Sequence, residues 1–413
     1  MKIFDVAIIG AGPAGIFSAL TAAKQGASVV LLEKNQILGR KILATGNGRC
    51  NLTNKNIAVS RYHGATPEFI QSVLSTFSQF QVMEYFESLG VLLKEEDNGR
   101  IFPRTNQASS ITEALNFELQ KPQINIRTNF LVKGIQPGTV WTISGLHEDQ
   151  KICLQAKNLI LATGGKASFI LGSSGDGLFW AEKLGHSIIT PHPALAPLET
   201  IETWPKDIQG LRFEGIAKTI SDGKIILESF GDILFTHFGL SGPAIMKHAR
   251  YINELPAKTK IELHLDTIPE ETEKTLDKKI EAILNANGAK AVKNALAGVV
   301  PAELMLMVLK NLSIDEDKKS SRISKQERTK IVGGLKNIVL VISKTRPFKE
   351  AQVTAGGVDS KEINSQTLES KKIPHLFFAG EIIDVDGDSG GFNLQWAWSS
   401  GYLAGLSATT KIK

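Results

Sequence analysis

A glycine-rich turn has the residue types and spacing that bind a pyrophosphate. Gly10-x-Gly12-x-x-Gly15 directly follows the apolar run Ile3–Ile9, which predicts a buried parallel strand. In such a turn the first glycine permits the tight reversal, the second lets a pyrophosphate approach the backbone, and the third allows close helix–strand packing. The phosphates then lie against N–H groups at the start of the next helix, which is predicted over Ile16–Gln25.

Glu33 extends this pattern because it is placed to bind a ribose hydroxyl. It ends a second apolar run, Ser28–Leu32, and lies 23 positions after Gly10. The ribose-binding acid of dinucleotide sites follows the glycines by about 20 positions. A glycine turn in an ordinary βαβ unit would not explain the position of this acid. The sequence therefore predicts a dinucleotide site.

Two stretches far apart in the chain predict loops that lie against a ligand. Gly39–Asn54 combines glycines, amides and basic residues with few residues that could pack a core. Phe377–Asp384 predicts an apolar strand ending in a glycine and acids, and Gly390 and Gly391 follow before a helix from Phe392. Because this late stretch has the texture of the first residues, we predict a dinucleotide domain split between the two ends of the sequence.

A dinucleotide domain that a C-terminal segment closes is typical of FAD proteins. In that arrangement the first turn takes the ADP half, and a late carboxylate, here Asp384 or Asp386, takes the ribitol hydroxyls. Thr163 and Gly164 end a buried strand that resembles the middle strand of such folds. Gly175-Asp176-Gly177 resembles a turn that comes near the flavin in fumarate-reductase-like proteins.

The composition predicts a globular protein of two or three domains. The chain has 413 residues, of which 42% are hydrophobic and 22% are charged. Its two cysteines, Cys50 and Cys153, form no C-x-x-C, so we predict neither a disulfide framework nor a metal site. This cysteine usage favours a reducing cytoplasm. The best candidate for a membrane span, Ala295–Leu309, is too short and contains Pro301.

The coarse secondary structure changes in the middle of the chain. Apolar residues at helical spacing predict one helix over Pro67–Leu89. Pro191 and Pro193 then interrupt any helix, and Gly223–Phe238 alternates like antiparallel strands. Pro269–Asn287 predicts a charged amphipathic helix, with further helices to about residue 335.

The predicted fold class is therefore α/β, with a split Rossmann-like FAD-binding domain, an inserted β-rich domain and a small helical domain. The FAD-binding domain is predicted to comprise residues 1–190 and 346–413, and the insert residues 191–345. Within the insert, the β-rich part covers about 191–266 and the helical part about 267–335.

The chain is mildly basic, with a formal net charge of +5 and a pI near 8.9. An ordinary cytosolic protein can carry such a charge, and so can one with a polyanionic partner. The most concentrated basic segment, Lys318–Lys336, is either a solvated helix face or a surface for such a partner. Six basic residues are concentrated in its first part: Lys318, Lys319, Arg322, Lys325, Arg328 and Lys330.

Four long strings carry a resemblance that covers nearly the whole chain: Gly39–Asn54, Thr236–Ala244, Ala351–Val358 and Gly380–Gly401. Through them the sequence resembles the BaiN/RdsA/aminoacetone-oxidase family of bacterial FAD-dependent flavoproteins. The resemblance implies a split FAD domain, an inserted substrate-side domain and a small helical domain. It also implies one of three unlike substrates: a uridine of large-subunit ribosomal RNA, a bile-acid intermediate, or aminoacetone.

The predicted cofactor is therefore FAD, and only one G-x-G-x-x-G is present, so NAD(P)H is expected as a transient electron donor at most. The predicted FAD-binding residues are Gly10, Gly12, Pro13, Ala14, Gly15, Glu33, Lys34, Gly39, Arg40, Lys41, Thr45, Gly46, Gly48, Arg49, Cys50, Asn51, Thr163, Gly164, Gly175, Asp176, Gly380, Glu381, Asp384, Gly390, Gly391, Phe392, Asn393 and Leu394.

Reduction of a conjugated C=C bond needs a hydride from reduced flavin and a proton donor on the opposite side. The candidate donors are Cys50, Arg49, His237 and His192. Cys50 could equally be a small buried thiol packed beside the cofactor. For Arg49 we favour contact with a phosphate or with the flavin carbonyl edge, and His237 could be a structural histidine.

Three classes of function are compatible with these residues. The first is an enzyme that reduces an activated C=C bond, with a ribosomal RNA uridine as leading substrate and an enone-type small molecule as an alternative. The second is a flavin oxidase of a small amine such as aminoacetone. The third is a flavin-binding module without turnover. A disulfide reductase is unsupported because the chain has no C-x-x-C.

Overall fold

The computed structural model describes residues 2–256 and 259–410. The chain forms two compact units. The first comprises residues 1–192 and 352–413, and the second comprises residues 193–351.

The first segment of the chain builds most of the first unit. Its helices are α1 (Pro13–Lys24), α2 (Arg40–Ala44), α3 (Pro67–Leu74), α4 (Gln79–Ser88), α5 (Ala108–Glu118) and α6 (Asp176–Lys183). Its strands are β1 (Ile3–Ile9), β2 (Val29–Leu32), β3 (Thr53–Asn54), β4 (Tyr62–Gly64), β5 (Leu93–Glu96), β6 (Arg100–Pro103), β7 (Ile124–Arg127), β8 (Phe130–Gln136), β9 (Trp141–His147), β10 (Gln150–Leu161) and β11 (Ile188–Ala194).

The second unit follows, and the chain then returns to the first. The strands of the second unit are β12 (Leu198–Thr200), β13 (Arg212–Ser221), β14 (Lys224–Thr236), β15 (Gly239–Ser241), β16 (Ile261–Asp266) and β17 (Ile338–Thr345). Its helices are α7 (Pro243–Met246), α8 (His248–Glu254), α9 (Glu273–Ala286), α10 (Val292–Ala295), α11 (Ala302–Asn311) and α12 (Lys325–Lys336). The returning segment contains β18 (Val353–Val358), β19 (Leu376–Phe378), β20 (Val385–Gly387) and α13 (Phe392–Thr410).

The central sheet of the first unit has the order β7-β2-β1-β10-β9-β8, with β19 also paired to β10. The strands β7, β2, β1, β10 and β19 pair in parallel, whereas β9 and β8 are antiparallel. Val6, Ala7 and Ile8 of β1 are fully buried, as expected for a strand covered on both faces. This Rossmann-like arrangement confirms the predicted α/β class.

The last helix, α13, packs against α1 by direct backbone contact. A Cβ added at Gly401 would lie 2.4 Å from the carbonyl oxygen of Ala14, and one added at Gly405 would lie 2.5 Å from that of Ser18. The Ser18 hydroxyl donates to the Gly401 carbonyl at 3.0 Å. The end of the described chain is therefore seated on the helix that follows the glycine turn.

The second unit contains a closed barrel with the strand order β12-β15-β14-β13-β16-β17. Helices α9 to α12 lie between β16 and β17 in sequence, so the helical part interrupts the barrel. The predicted β-rich stretch, which ends at about residue 266, omits β17. That strand follows the helical part, so its pairing with β16 and β12 has no local sequence signal.

One predicted helix is wrong in extent. The stretch Pro67–Leu89 forms two helices, α3 and α4, because Ser78 starts the second one. The Ser78 hydroxyl accepts from Gln81 N while the Gln81 side chain accepts from Ser78 N, which is a capping box. No helix within residues 2–256 and 259–410 is long and apolar enough to cross a membrane.

A buried histidine joins α8 to two barrel strands. His248 Nδ1 lies 2.6 Å from Thr219 Oγ1, and its Nε2 lies 2.7 Å from Ser229 Oγ. Because the Ser229 hydroxyl donates to the Ala244 carbonyl, it must accept from His248 Nε2–H, and Nδ1 then accepts from Thr219. Burial lowers the pKa of His248 to about 3, with a further lowering by nearby Lys247.

We therefore expect His248 to make the barrel sensitive to acid. Its pKa in the folded protein is about 3, below the ordinary 6.5. Between these two pH values, His248 is protonated in the unfolded chain but not in the folded protein. The free energy of unfolding should fall by about 1.4 kcal/mol per pH unit across this window and be fully retained above it.

The measurement is chemical unfolding of the wild type and of His248→Gln at several pH values. The wild type should lose more stability than the variant between neutral and acid pH. Parallel pH profiles would mean that the pKa of His248 is the same in the folded and the unfolded chain.

Candidate active site

The glycine turn leaves one position open to a ligand. Gly10 has a φ of +100°, and an added Cβ there would lie 2.5 Å from the Ala162 carbonyl oxygen. A Cβ at Gly15 would lie 1.8 Å from the Gly10 carbonyl oxygen, so both glycines are required by the fold itself. A Cβ at Gly12 would meet no described atom within 4 Å. Gly12 thus leaves room for a ligand to approach at the N-cap of α1, which has no side-chain cap.

Glu33 lies beside this turn, at the end of β2. Its Oε2 accepts from Ala11 N at 2.9 Å, and its Oε1 accepts from Asn35 N and Asn35 Nδ2 at 2.9 and 2.7 Å. Gly39 N donates to the Ala11 carbonyl at 2.9 Å, and Arg40 Nη1 donates to Asn35 Oδ1 at 2.8 Å. The residues predicted from the first turn and from the Gly39 loop therefore meet at one corner.

Two ion pairs hold predicted cofactor residues from different segments. Lys41 Nζ lies 2.5 Å from Glu381 Oε2, which joins the Gly39 loop to the returning segment. Lys34 Nζ lies 2.9 Å from Asp176 Oδ2, at the start of α6. Burial alone would raise the pKa of Asp176, but hydrogen bonds from Ser174 and Lys34 outweigh it and leave this pKa lowered. Asp176 is thus engaged as an anion.

The loop that follows α2 has an unusual backbone. Gly46, Asn47, Gly48 and Cys50 all have positive φ values, of 57°, 56°, 82° and 60°. Such a run requires support from neighbouring structure, because non-glycine residues rarely adopt it. The Cys50 N–H supplies part of this support by donating to the Thr45 carbonyl at 3.0 Å.

Two of the predicted proton donors lie in this loop, and protein groups enclose the first and pair with the second. Cys50 is fully buried, and burial raises the pKa of its thiol to about 12. Arg49 Nη2 donates to Glu96 at 2.6 Å, and its guanidinium lies 4.1 Å from the centre of the Phe102 ring. The hydrogen bond from Arg49, with one from Lys94, lowers the pKa of Glu96 to about 2.

The glycine-rich loop before α13 packs onto the loop from the other end of the chain. A Cβ at Gly391 would lie 2.4 Å from the Thr53 carbonyl oxygen, and Asn54 Nδ2 donates to the Gly390 carbonyl at 2.9 Å. Asn393 closes this loop on itself, because its side chain accepts from Gly387 N and donates to the Gly387 carbonyl. These contacts bring both predicted ligand-facing loops together.

The remaining predicted cofactor residues differ in how accessible their side chains are to a ligand. Asp384 is buried, and its Oδ1 accepts from Gly356 N at 3.1 Å. Phe392 and Leu394 lie in the hydrophobic core, so their side chains are not available to a ligand. The Thr163 hydroxyl is buried and has no hydrogen-bond partner among the described residues.

A charged cluster beside the returning segment was not predicted from the sequence. Asp388 accepts from His63 Nε2 and pairs with Arg61 Nε, each at 3.1 Å, where β4 pairs with β20. Asp388 lies within the string Gly380–Gly401, but its partners are more than three hundred residues away in sequence. Only the β4–β20 pairing brings them together, and a short strand such as β4 gives little signal.

Two histidines were predicted as donors outside this loop region. His192 Nδ1 lies 3.4 Å from the Thr190 carbonyl oxygen, near the end of β11. His237 belongs to the second unit, where it is exposed in the turn between β14 and β15 and lines a cavity of about 280 Å³. Within the described ranges, no group of His, Cys, Asp or Glu side chains could hold a metal ion.

The model of the HI0933-like protein Rossmann domain matches residues 4–407. The chain belongs to the HI0933-like family. A 3-dehydro-bile acid delta(4,6)-reductase of Clostridium scindens is 34% identical over 98% of this chain and 99% of its own length. A ribosomal RNA dihydrouridine synthase of Haemophilus influenzae is 31% identical over 97% of each chain.

The fold has a distant match among solved structures. A 3-ketosteroid delta1-dehydrogenase of Sterolibacterium denitrificans superposes with a TM-score of 0.54 at 11% identity, over the full length of both chains. This similarity concerns the fold alone. Together with the family membership, the glycine turn and its open Gly12 position agree with the predicted cofactor class. The HI0933-like protein is an FAD-dependent oxidoreductase, as the sequence predicted.

We expect FAD to be tightly and non-covalently bound, and Glu33→Ala to weaken its binding. Loss of hydrogen bonds between a carboxylate and the ribose should cost roughly 1.5–3 kcal/mol, or about tenfold to over a hundredfold in affinity. The purified wild type should be yellow and release FAD on heating, and titration of the apoprotein with FAD gives the dissociation constant.

Glu148→Ala is the matched control. Glu148 is an exposed acid of the same unit, and its replacement removes the same charge. Circular dichroism should show that both variants fold. An unchanged dissociation constant in Glu33→Ala would mean that the carboxylate serves only the turn, through Ala11 and Asn35.

Proposed function

We propose that this HI0933-like protein reduces a C=C bond conjugated to a carbonyl, and that its substrate is a uridine of large-subunit ribosomal RNA. The proposal rests on one observation: the names of two relatives describe the same type of reaction. A delta(4,6)-reductase of a 3-dehydro bile acid and a dihydrouridine synthase both saturate a C=C bond in conjugation with a carbonyl group. The carbonyl accepts electron density while hydride adds to the far carbon of the bond.

We assign the corner around Gly12 and Glu33 to the nucleotide half of FAD. The loops at Gly39 and Gly390, with the ion pairs of Lys34 and Lys41, would hold the rest of the cofactor. The open approach at Gly12 and the lowered pKa of Asp176 support this assignment. Bound FAD would supply hydride chemistry. We further propose NAD(P)H as the electron donor, bound only transiently because a second G-x-G-x-x-G is missing.

Of the predicted proton donors, Cys50 is the least suited, because it is enclosed by protein and burial raises the pKa of its thiol. Arg49 is held by Glu96 and Phe102 in the unit that carries the glycine turn. His237 belongs to the other unit, where it is exposed and makes no hydrogen bond within the described residues. Arg49 and His237 both remain proposed donors.

The charge distribution favours RNA as the substrate. Four basic side chains of the segment Lys318–Lys336 are exposed and make no ion pair to any described residue: Lys319, Arg322, Lys325 and Lys330. The segment is brought to one end of the helical part, because Ala291 and Lys319 form a β-bridge just before α12. Cations without internal partners are available for phosphates.

The other basic residues of this segment are already paired. Lys318 pairs with Glu327, and Arg328 is 13% exposed between Asp277 and Glu281. Lys318 and Arg328 therefore do not belong to an RNA surface, although the sequence placed all six residues together. An acidic residue at position 328 would face two carboxylates and destabilise the α9–α12 packing.

The bile-acid relative supports a second candidate, reduction of an enone-type small molecule, because it is also similar over nearly the whole chain. A turnover experiment with each substrate distinguishes the two candidates. Protein reduced without oxygen should be reoxidised by ribosomal RNA from a strain that lacks the gene, and mass spectrometry should then find dihydrouridine in that RNA. Reoxidation by a 3-oxo-4,6-diene bile acid alone would favour the second candidate. Reduction of the flavin by aminoacetone would favour an amine oxidase.

We expect the unpaired cations to set the salt dependence of RNA binding. Arg322→Gln with Lys325→Gln should weaken RNA binding and reduce the slope of log affinity against log salt by about 0.7–0.9 per lost phosphate contact. The control is Lys24→Gln with Lys151→Gln, which removes the same charge from two exposed lysines of the other unit that pair with no acid in the described part of the chain. If both double variants bind RNA with the wild-type salt slope, the segment is only a solvated surface.

A further inference from the structure

The second unit contains a cavity beside the turn that links β14 to β15. It measures about 280 Å³ and is lined by β12, the short helix that follows it, this turn and Arg346. Its volume lies near the lower end of the roughly 300–1,000 Å³ that is usual for small-molecule sites.

The turn that forms one wall is fixed by its backbone. Gly239 has a φ of +148°, and a Cβ added there would lie 2.5 Å from the Leu198 carbonyl oxygen. Thr200 N donates to the Phe238 carbonyl at 3.1 Å. The backbone of His237 and Phe238 is therefore held against β12.

The carboxylates at the cavity are already committed. Arg346 donates to both oxygens of Glu350, at 2.9 and 2.6 Å, and also to Glu199. Both carboxylate oxygens of Glu202 accept from Val341 N, at 3.1 and 3.0 Å. Glu199 and Glu350 are thus paired with Arg346, whereas Glu202, which also lines the cavity, is held by a backbone N–H that does not neutralise a charge.

The uncommitted groups are donors and an aromatic ring. Lys206, Thr203 and His237 line the cavity, are exposed, and make no hydrogen bond or ion pair through their side chains within the described ranges. Phe238 is half-buried beside them, with the Arg346 guanidinium 4.5 Å from its ring centre. An ammonium, a hydroxyl and an imidazole together suit a phosphate, and an aromatic ring beside a guanidinium suits a heterocyclic base.

We propose that this cavity binds a nucleotide. The phosphate lies against Lys206, Thr203 and His237, and the base lies against the Phe238 ring. A nucleotide of an RNA strand and a nicotinamide dinucleotide both supply this chemistry. The assignment therefore extends beyond the reaction proposed above, and it does not require that the substrate be RNA.

The test is a calorimetric titration of the oxidised holoenzyme with 5′-UMP, compared with uridine and with inorganic phosphate. UMP should bind more tightly than either of its parts. Lys206→Ala should weaken UMP binding about tenfold, because it removes a charge-assisted contact. Phe238→Leu should weaken the binding of UMP but not that of phosphate. Lys224→Ala is the control, since Lys224 is an exposed, unpaired lysine of the same barrel outside the cavity.

Competition then identifies the source of the nucleotide. Displacement of UMP by a short single-stranded RNA at lower concentration than NADPH assigns the cavity to RNA, and the reverse order assigns it to the dinucleotide. The proposal is overturned if wild-type holoenzyme does not bind UMP, if neither competitor displaces it, or if Lys206→Ala and Phe238→Leu bind UMP as the wild type does. Because no turnover is measured, a protein that forms no dihydrouridine can still pass this test.

Discussion

The candidate FAD site depends on the close approach of two backbones, those of α1 and α13. Helices separated by ordinary side chains lie about 8–10 Å apart, whereas glycines allow closer contact. Gly401 and Gly405 meet the carbonyl groups of Ala14 and Ser18 directly. This contact fixes the last helix on the helix that carries the glycine turn. The loop at Gly390 directly precedes α13, so the same contact also fixes the position of that loop.

The charged residues of the site form ion pairs that join separate segments of the chain even without a ligand. Lys41 with Glu381, and Lys34 with Asp176, join parts of the chain that are distant in sequence. Such ion pairs order the loops in advance, so the loops lose less conformational entropy when a ligand binds. A cofactor that enters this site therefore meets loops that are already ordered.

The sequence predicted the backbone of this site better than its side chains. The roles of Gly10 and Gly15 follow from spacing, because steric rules for a strand–turn–helix are local. The burial of Cys50 and the pairing of Arg328 could not be predicted, because both depend on residues far away in sequence. For the same reason β17 was missed, since its barrel partners come from before the helical part. A count of basic residues likewise cannot tell a paired cation from an unpaired one.

Cofactor binding and substrate recognition are constrained by different physical effects. Replacement of Gly10 or Gly401 would force atoms into backbone at 2.4–2.5 Å, so these positions cannot vary without a change of fold. Lys206 and His237 are exposed and touch nothing that the barrel needs, so they can be replaced at little cost in stability. The cofactor is therefore tied to the fold by sterics, whereas the groups that would recognise a substrate are not. Such a division lets the fold and the cofactor site stay while the substrate changes, and relatives similar over nearly the whole chain are named for a bile acid and for an RNA.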